Sequence, residues 1–121
     1  MGRLPIFDTV VMRIPNADRA IIGPEKLRDY LLNVAHRRGA TKAKLLLGLG
    51  YDAENYQRLE MDLRKQHLIL DATLEQNSTY GARHSIVAPI RTPIGRMVTF
   101  CSVWQIDTGT DVPRLITMYP R

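Results

Sequence analysis

The side chains of this sequence that could carry out chemistry suit the cleavage of RNA without a metal ion. That reaction needs a base to take the proton of the 2′-hydroxyl, an acid to protonate the leaving 5′-oxygen, and cations to hold the pentavalent phosphate. We expect either His36 or His84 to act as the general acid and base. The complete set of candidate catalytic residues is His36, Lys42, Arg83, His84, Ser102 and Thr117.

A second set of residues could bind the RNA. Lys42, Arg83 and Arg96 could hold phosphate oxygens, and Trp104 or Tyr119 could stack on an unpaired base, as aromatic rings do in proteins that bind single strands. The candidate substrate-binding residues are Arg37, Arg38, Arg96, Trp104 and Tyr119. Structural roles compete with these: a histidine after a helix often bonds the last carbonyls, and a tryptophan on a central strand is more often part of the core.

Other chemistries lack a motif in this sequence. It contains no Walker loop, GxGxxG, HExxH or CxxC motif, so nucleotide hydrolysis, dinucleotide binding and thiolate-bound metals have no support. The three histidines at positions 36, 67 and 84 are never three or four residues apart, which disfavours a zinc site. No serine lies in a GxSxG elbow. We therefore expect no metal and no cofactor.

The basic residues of this chain, whose net charge is +5, are unevenly distributed. Residues 34–51 contain no Asp or Glu, and neither do residues 76–106, yet both segments contain Arg or Lys and a histidine. If the two segments fold side by side, they form a positive surface that attracts phosphate backbones or an acidic protein. Chance clustering of basic residues is the alternative explanation.

Length and composition favour one cytosolic domain. With 121 residues, of which 45% are hydrophobic, the chain is large enough to bury a single core. The lone Cys101 cannot form an internal disulfide bond, and no apolar stretch or leader pattern indicates a membrane or secretion. We expect an N-terminal extension over residues 1–20, with an edge strand from Pro5 to Ile14, and a single domain over residues 21–121.

Helical patterns fill the first half of the chain. Gly23 and Pro24 predict a helix start, and the apolar residues Leu27, Tyr30, Leu31 and Val34 follow at helical spacing. Thr41 is the expected N-cap of a second helix that ends at Leu49. Asp52 is the expected cap of a third helix that ends near Gln66 or His67.

Strand patterns fill the second half. A strand is expected at 68–74, a hairpin at 83–106 with its turn at 92–95, and a last strand at 114–119. Helices followed by consecutive strands predict an α+β fold with four or five antiparallel strands, rather than a doubly wound sheet.

Several segments together resemble a bacterial domain family of unknown function. Its members occur as short proteins, often beside a small acidic gene product, and at the ends of longer toxin-like chains. The resemblance covers residues 21–120 and is carried by the segments Asp29-Tyr30-Leu31-Leu32-Asn33, Arg38-Gly39-Ala40-Thr41-Lys42-Ala43, Leu49-Gly50-Tyr51, Tyr80-Gly81-Ala82-Arg83-His84, Thr92-Pro93-Ile94-Gly95-Arg96, Ser102-Val103-Trp104 and Pro113-Arg114-Leu115-Ile116-Thr117-Met118-Tyr119-Pro120. Leu46 and Leu47 depart from it, since aromatic residues are common there.

That layout is similar to the barnase, EndoU, colicin and RelE group of ribonucleases. The resemblance implies one cleft lined by His36, Lys42, Arg83, Ser102, Trp104 and Thr117. It also implies a cytosolic endoribonuclease toxin, with RNA and a small acidic antitoxin-like protein as partners. The alternative hypotheses are a non-catalytic module that docks an acidic protein or nucleic acid, and a structural or assembly protein.

Overall fold

A computed structural model of the chain describes residues 11–121, and within them the helices precede the main strands. The helices are α1 (Pro24–Lys26), which continues into a π-helical turn (Leu27–Leu31), α2 (Ala40–Gly48) and α3 (Gln57–Gln66). The strands are β1 (Val11–Arg13), β2 (Asp71–Ser78), β3 (Gly81–Arg91), β4 (Met97–Asp107) and β5 (Arg114–Pro120). The predicted α+β class is confirmed, with five strands.

The five strands form one open antiparallel sheet in the order β1-β2-β3-β4-β5. Strands β3 and β4 pair without a break from Gly81 opposite Asp107 to Arg91 opposite Met97. A register shift beside Val103 and Trp104 marks an irregularity where β4 pairs with β5. Because β5 is the last strand in this order, it forms one edge of the sheet.

One face of the sheet packs against the helices. Residues two apart on a strand share a face, and Ile86, Ile90, Phe100 and Trp104 are all at most 1% exposed. The helices contribute five residues that are equally buried: Leu27, Leu31, Leu46, Leu59 and Leu63. Each such side chain stabilises the fold by about 1.5–3 kcal/mol relative to exposure, so this layer fixes where the helices lie.

The helix boundaries differ in detail from the pattern-based expectations. Pro24 begins α1 as predicted, but a π-helical turn follows, and Val34 is 48% exposed beyond it instead of extending the apolar stripe. The N-cap of α2 is Gly39, so Thr41 lies inside the helix. Asp52 accepts the N–H of Glu54 and caps a 3-10 turn (Ala53–Asn55) that precedes α3.

The strand boundaries shift for equally local reasons. Strand β2 begins at Asp71 and not at Leu68, because the Leu68 N–H still donates to Leu63 O, in α3, at 2.9 Å. The β3–β4 turn is tight at the predicted place, with Gly95 at φ 85°, the left-handed conformation that suits glycine. Of the expected edge strand, Pro5–Val10 lie outside the described residues, and Val11–Arg13 form β1.

Candidate active site

The structure brings together residues from three parts of the chain around the Lys42 side chain. Its Nζ atom donates to Tyr30 Oη at 2.9 Å and to Thr117 Oγ1 at 2.9 Å, although Thr117 is 75 residues away in sequence. The His36 ring packs edge-on against the Tyr30 ring, with centroids 4.7 Å apart. We call Tyr30, His36, Lys42 and Thr117 the Lys42 cluster.

Buried residues fix the positions of Tyr30, Lys42 and Thr117 at the edge of the core. Leu27 and Leu31 are fully buried and fix the π-helical turn that presents Tyr30. Ala43 and Leu46 bury one side of α2 and leave Lys42 half-buried next to them. On β5, Leu115 and Met118 are buried and Thr117 is half-buried. The cluster therefore stands on three anchored elements while its polar atoms stay near solvent.

The hydrogen bonds of His36 determine which of its nitrogens carries the hydrogen. Nδ1 accepts the backbone N–H of Arg38 and of Gly39, each at 3.1 Å. An imidazole nitrogen that accepts hydrogen bonds carries no hydrogen, so the hydrogen lies on Nε2. Within residues 11–121, Nε2 has no hydrogen-bond partner. His36 therefore offers one free N–H donor beside the Tyr30 ring.

Positive charge surrounds the Tyr30 phenol. The Nζ atoms of Lys26 and Lys42 each lie 5.2 Å from the centroid of its ring. The hydrogen bond from Lys42 lowers the pKa of Tyr30, burial opposes this change, and Thr117 and the charges of the two lysines add to it. Tyr30 can therefore release its proton more readily than an ordinary tyrosine.

Lys42 has no acidic partner among the described residues, since none of the five ion pairs found in residues 11–121 contains it. A lysine ammonium has three N–H donors, and Tyr30 and Thr117 accept two of them. One N–H donor therefore stays available to an anion, and no carboxylate in residues 11–121 pairs with the ammonium charge. Arg37 and Arg38, both exposed, follow His36 in the loop before α2 and add to this positive surface.

Two predicted site residues, Ser102 and Trp104, lie in the core instead. Both are 0% exposed. Ser102 Oγ lies 2.7 Å from His67 Nδ1 and accepts the indole N–H of Trp104 at 2.9 Å, while His67 Nε2 lies 3.0 Å from Ala88 O. We call His67, Ser102 and Trp104 the buried hub. A fully buried ring cannot stack on an RNA base, so the hub is structural.

His84 also lies on the face of the sheet that the helices cover. It pairs with Trp104 across β3 and β4 and is 8% exposed. Its Nδ1 atom has no hydrogen-bond partner in the described part of the chain, and burial lowers its pKa. No hydrogen bond found in residues 11–121 joins His84 to the Lys42 cluster, so we do not assign it a proton transfer.

The remaining predicted residues lie outside the Lys42 cluster. Arg83 donates from Nε to Gln105 Oε1 at 3.1 Å on β3, two strands from Thr117. Arg96 is exposed beside the β3–β4 turn. Tyr119 is 36% exposed on β5, and interaction with Cys101, opposite it on β4, raises its pKa. No hydrogen bond or ring contact found in residues 11–121 joins any of these three to the Lys42 cluster.

Sequence reasoning missed Tyr30 and Lys26. Tyr30 was expected to be one of four apolar residues on the first helix, a role that Leu27 and Leu31 fill completely. Its phenol was a usable signal, because a tyrosine on an apolar stripe needs a partner for its hydroxyl. Lys42 is that partner because α2 packs beside the π-helical turn. No local sequence pattern predicts this packing.

The described residues hold neither a clear metal site nor a membrane-spanning helix. Between positions 11 and 121, no group of three or more His, Cys, Asp or Glu side chains is placed to hold a metal ion. No helix in the same range is both long and apolar enough to cross a bilayer.

Comparison with known proteins identifies the family of this chain. A family model described as "Domain of unknown function (DUF6883)" matches residues 13–121, so the chain belongs to that family. No curated protein and no solved structure matches it.

Proposed function

We propose that this member of the DUF6883 family is a cytosolic, metal-independent endoribonuclease of toxin type whose active site is the Lys42 cluster. One observation carries the proposal: an ammonium group with no acidic partner within residues 11–121 is held between two hydroxyl groups, one of them a tyrosine with a lowered pKa. Cation, proton acceptor and proton donor are the three groups that RNA cleavage without a metal requires.

Phosphate binding is the first step. The free N–H of Lys42, the Nε2–H of His36 and the hydroxyl of Thr117 donate to the non-bridging oxygens of the scissile phosphate. Charge-assisted hydrogen bonds of this kind are about twice as strong as neutral ones. Arg37 and Arg38 attract the neighbouring phosphates, which makes binding weaker as salt rises.

Proton transfer then involves Tyr30 and Lys42. The phenolate form of Tyr30 takes the proton of the 2′-hydroxyl, the 2′-oxygen bonds to phosphorus, and the bond from phosphorus to the 5′-oxygen breaks. Lys42 gives a proton to that leaving oxygen. The products are a 2′,3′-cyclic phosphate and a 5′-hydroxyl. The 2.9 Å hydrogen bond between the two side chains lets Tyr30 return its proton to Lys42.

This assignment gives His36 a different role from the one its residue type predicts. A general acid would need a second proton on the ring, but Nδ1 accepts two backbone N–H groups. His36 therefore binds the phosphate and supports the Tyr30 ring, while Tyr30 and Lys42 move the protons.

A cleavage assay with matched lysine variants tests the proposal. Lys42→Met removes the cluster's charge, and Lys44→Met makes the same change at an exposed position of the same helix. With a single-stranded RNA and excess EDTA, we expect cleavage by the wild type and by Lys44→Met, and a rate at least about 100-fold lower for Lys42→Met. No cleavage by the wild type, or equal rates for both variants, would overturn the proposal.

The toxin role needs a test in cells. We expect that inducing the wild type stops growth and degrades RNA, and that the His36→Ala/Lys42→Ala double variant does neither. Equal growth and intact RNA with both proteins would contradict this role.

The proposed partner is a small acidic antitoxin-like protein, attracted by the same positive surface that attracts RNA. A salt-sensitive RNA complex without turnover would instead favour the non-catalytic binding module.

A further inference from the structure

We propose that Gly39 is a positioning residue of the Lys42 cluster, and that its missing side chain lets the loop before α2 close onto Tyr30. The inference rests on the proposed function, because it explains how the two groups that move protons come into contact. Gly39 is buried and is the N-cap of α2.

Close approach, and not backbone conformation, requires glycine here. Gly39 has φ −98° and ψ −2°, which other residues adopt. A Cβ atom at this position would lie 2.8 Å from Tyr30 O and 3.1 Å from both Cδ1 and Cε1 of the Tyr30 ring. Ordinary contacts begin at 3.4 Å. A side chain would therefore have to push the loop and Tyr30 apart by about 0.6 Å.

Tyr30 cannot yield easily to such a side chain. The nearest atom is a backbone carbonyl oxygen of the π-helical turn, which accepts the Asn33 N–H at 3.3 Å. Leu27 and Leu31, both 0% exposed, hold that turn in the core. The Gly39 segment would have to move instead.

Gly39 links the other members of the cluster to this contact. Its N–H donates to His36 Nδ1 at 3.1 Å, and its C=O accepts the Ala43 N–H at 2.9 Å in the first turn of α2, which carries Lys42. Movement of Gly39 away from Tyr30 therefore carries His36 and Lys42 with it. Since hydrogen bonds weaken beyond about 3.2 Å, such a movement lengthens and weakens the 2.9 Å bond between Lys42 and Tyr30.

The chain contains a matched control for this position. Gly48 is exposed at the end of the same helix, and a Cβ atom there would meet nothing within 4 Å. Gly48→Ala adds the same methyl group to α2 without touching the Lys42 cluster. We expect it to leave cleavage unchanged and to stabilise the helix slightly.

The test compares Gly39→Ala with Gly48→Ala. We expect Gly39→Ala to lower kcat about 10- to 100-fold with a smaller change in KM, because a displacement of this size misplaces the reacting groups. Its Tyr30 titration, measured by tyrosinate absorbance against Tyr30→Phe, should move up toward the ordinary value of about 10. Wild-type kcat and titration in Gly39→Ala, or an equal loss in Gly48→Ala, would overturn the inference.

An NMR measurement on the wild type keeps the inference testable if Gly39→Ala does not fold. The contact predicts strong nuclear Overhauser effects between the Gly39 α-protons and the Tyr30 ring protons, and their absence would overturn it. Neither the titration nor the NMR contact needs RNA. Failure to cleave RNA would remove the proposed function, whereas a missing contact or an unchanged titration would remove the role of Gly39.

Discussion

Two arrangements in this molecule each combine a histidine, a hydroxyl group and an aromatic side chain, but they differ in burial. In the buried hub, His67, Ser102 and Trp104 are all 0% exposed, and both ring nitrogens of His67 have partners. In the Lys42 cluster, Tyr30 and His36 are half-buried, and His36 Nε2 has no partner in the described residues.

The difference shows that residue type alone does not identify a functional group. The hub uses its polar atoms to satisfy one another, as buried polar groups must, and burial lowers the pKa of His67 so that the neutral ring is favoured. The cluster keeps an ammonium charge and two N–H donors available. If this distinction is correct, changes in the cluster alter the cleavage rate and changes in the hub alter stability.

The largest expected effect is on the rate of Tyr30→Phe. This change removes the proposed proton acceptor and keeps the ring that packs on His36 and Gly39. General-base catalysis contributes about 10²–10⁴-fold, so we expect a loss of that size in kcat with nearly unchanged thermal unfolding. A variant that cleaves RNA at the wild-type rate would remove Tyr30 from the mechanism.

The next effect is a loss of stability in Ser102→Ala. It leaves the Trp104 N–H and one nitrogen of His67 without a partner in the core. Each unsatisfied buried group costs about 1–3 kcal/mol, so we expect a decrease of about 2–4 kcal/mol in urea unfolding. Cleavage per folded molecule should stay near the wild-type value. A large loss of rate in fully folded Ser102→Ala would return Ser102 to the active site.

The dependence of stability on pH tests whether His67 and His84 are buried in the folded protein. Burial lowers the folded-state pKa values of His67 and His84, so below about pH 6.5 the unfolded chain binds more protons than the folded one. Stability should fall as the pH decreases from about 7.5 to 5.5. The urea midpoint measured across this range should depend much less on pH in the His67→Gln/His84→Gln double variant, provided that it folds. A wild-type midpoint that stays constant would contradict the burial argument.

The smallest effect is expected for Thr117→Val. Valine keeps the shape of the side chain but cannot accept the Lys42 N–H. One hydrogen bond to a charged group contributes about 1.5–3 kcal/mol, and half-burial reduces this, so we expect roughly tenfold slower cleavage with a small change in stability. Thr99→Val, on neighbouring β4, is the control. A loss of rate in both variants would show that the effect is not specific to Thr117.

Much of the fold could be predicted from the sequence because its signals are local. Pro24 begins a helix, Thr92 to Gly95 form a turn, and the order of helices before strands gives the α+β class. The alternation of Phe100, Ser102 and Trp104 also carried information, since residues two apart share a face. Applied to Ser102, that rule places it beside the core residue Phe100, where a catalytic role is unfavourable.

The arrangement of the site could not be predicted in the same way, because it depends on contacts between residues that are distant in sequence. His36, Lys42 and Thr117 were identified by residue type, and the structure places them around one phenol. Tyr30 was not identified, because its role depends on the approach of α2 and β5 to the π-helical turn. Gly39 has no side chain that would indicate a role, and only the distance to Tyr30 O shows why a side chain does not fit there.

The most direct test measures single-turnover cleavage of one RNA oligonucleotide in EDTA by Lys42→Met and Ser102→Ala, at a temperature where both proteins are folded. We expect Lys42→Met to be nearly as stable as the wild type and at least about 100-fold slower. Ser102→Ala should be less stable but cleave at close to the wild-type rate. The opposite result, with a slow Ser102→Ala and a fully active Lys42→Met, would contradict the assignment of the active site to the Lys42 cluster.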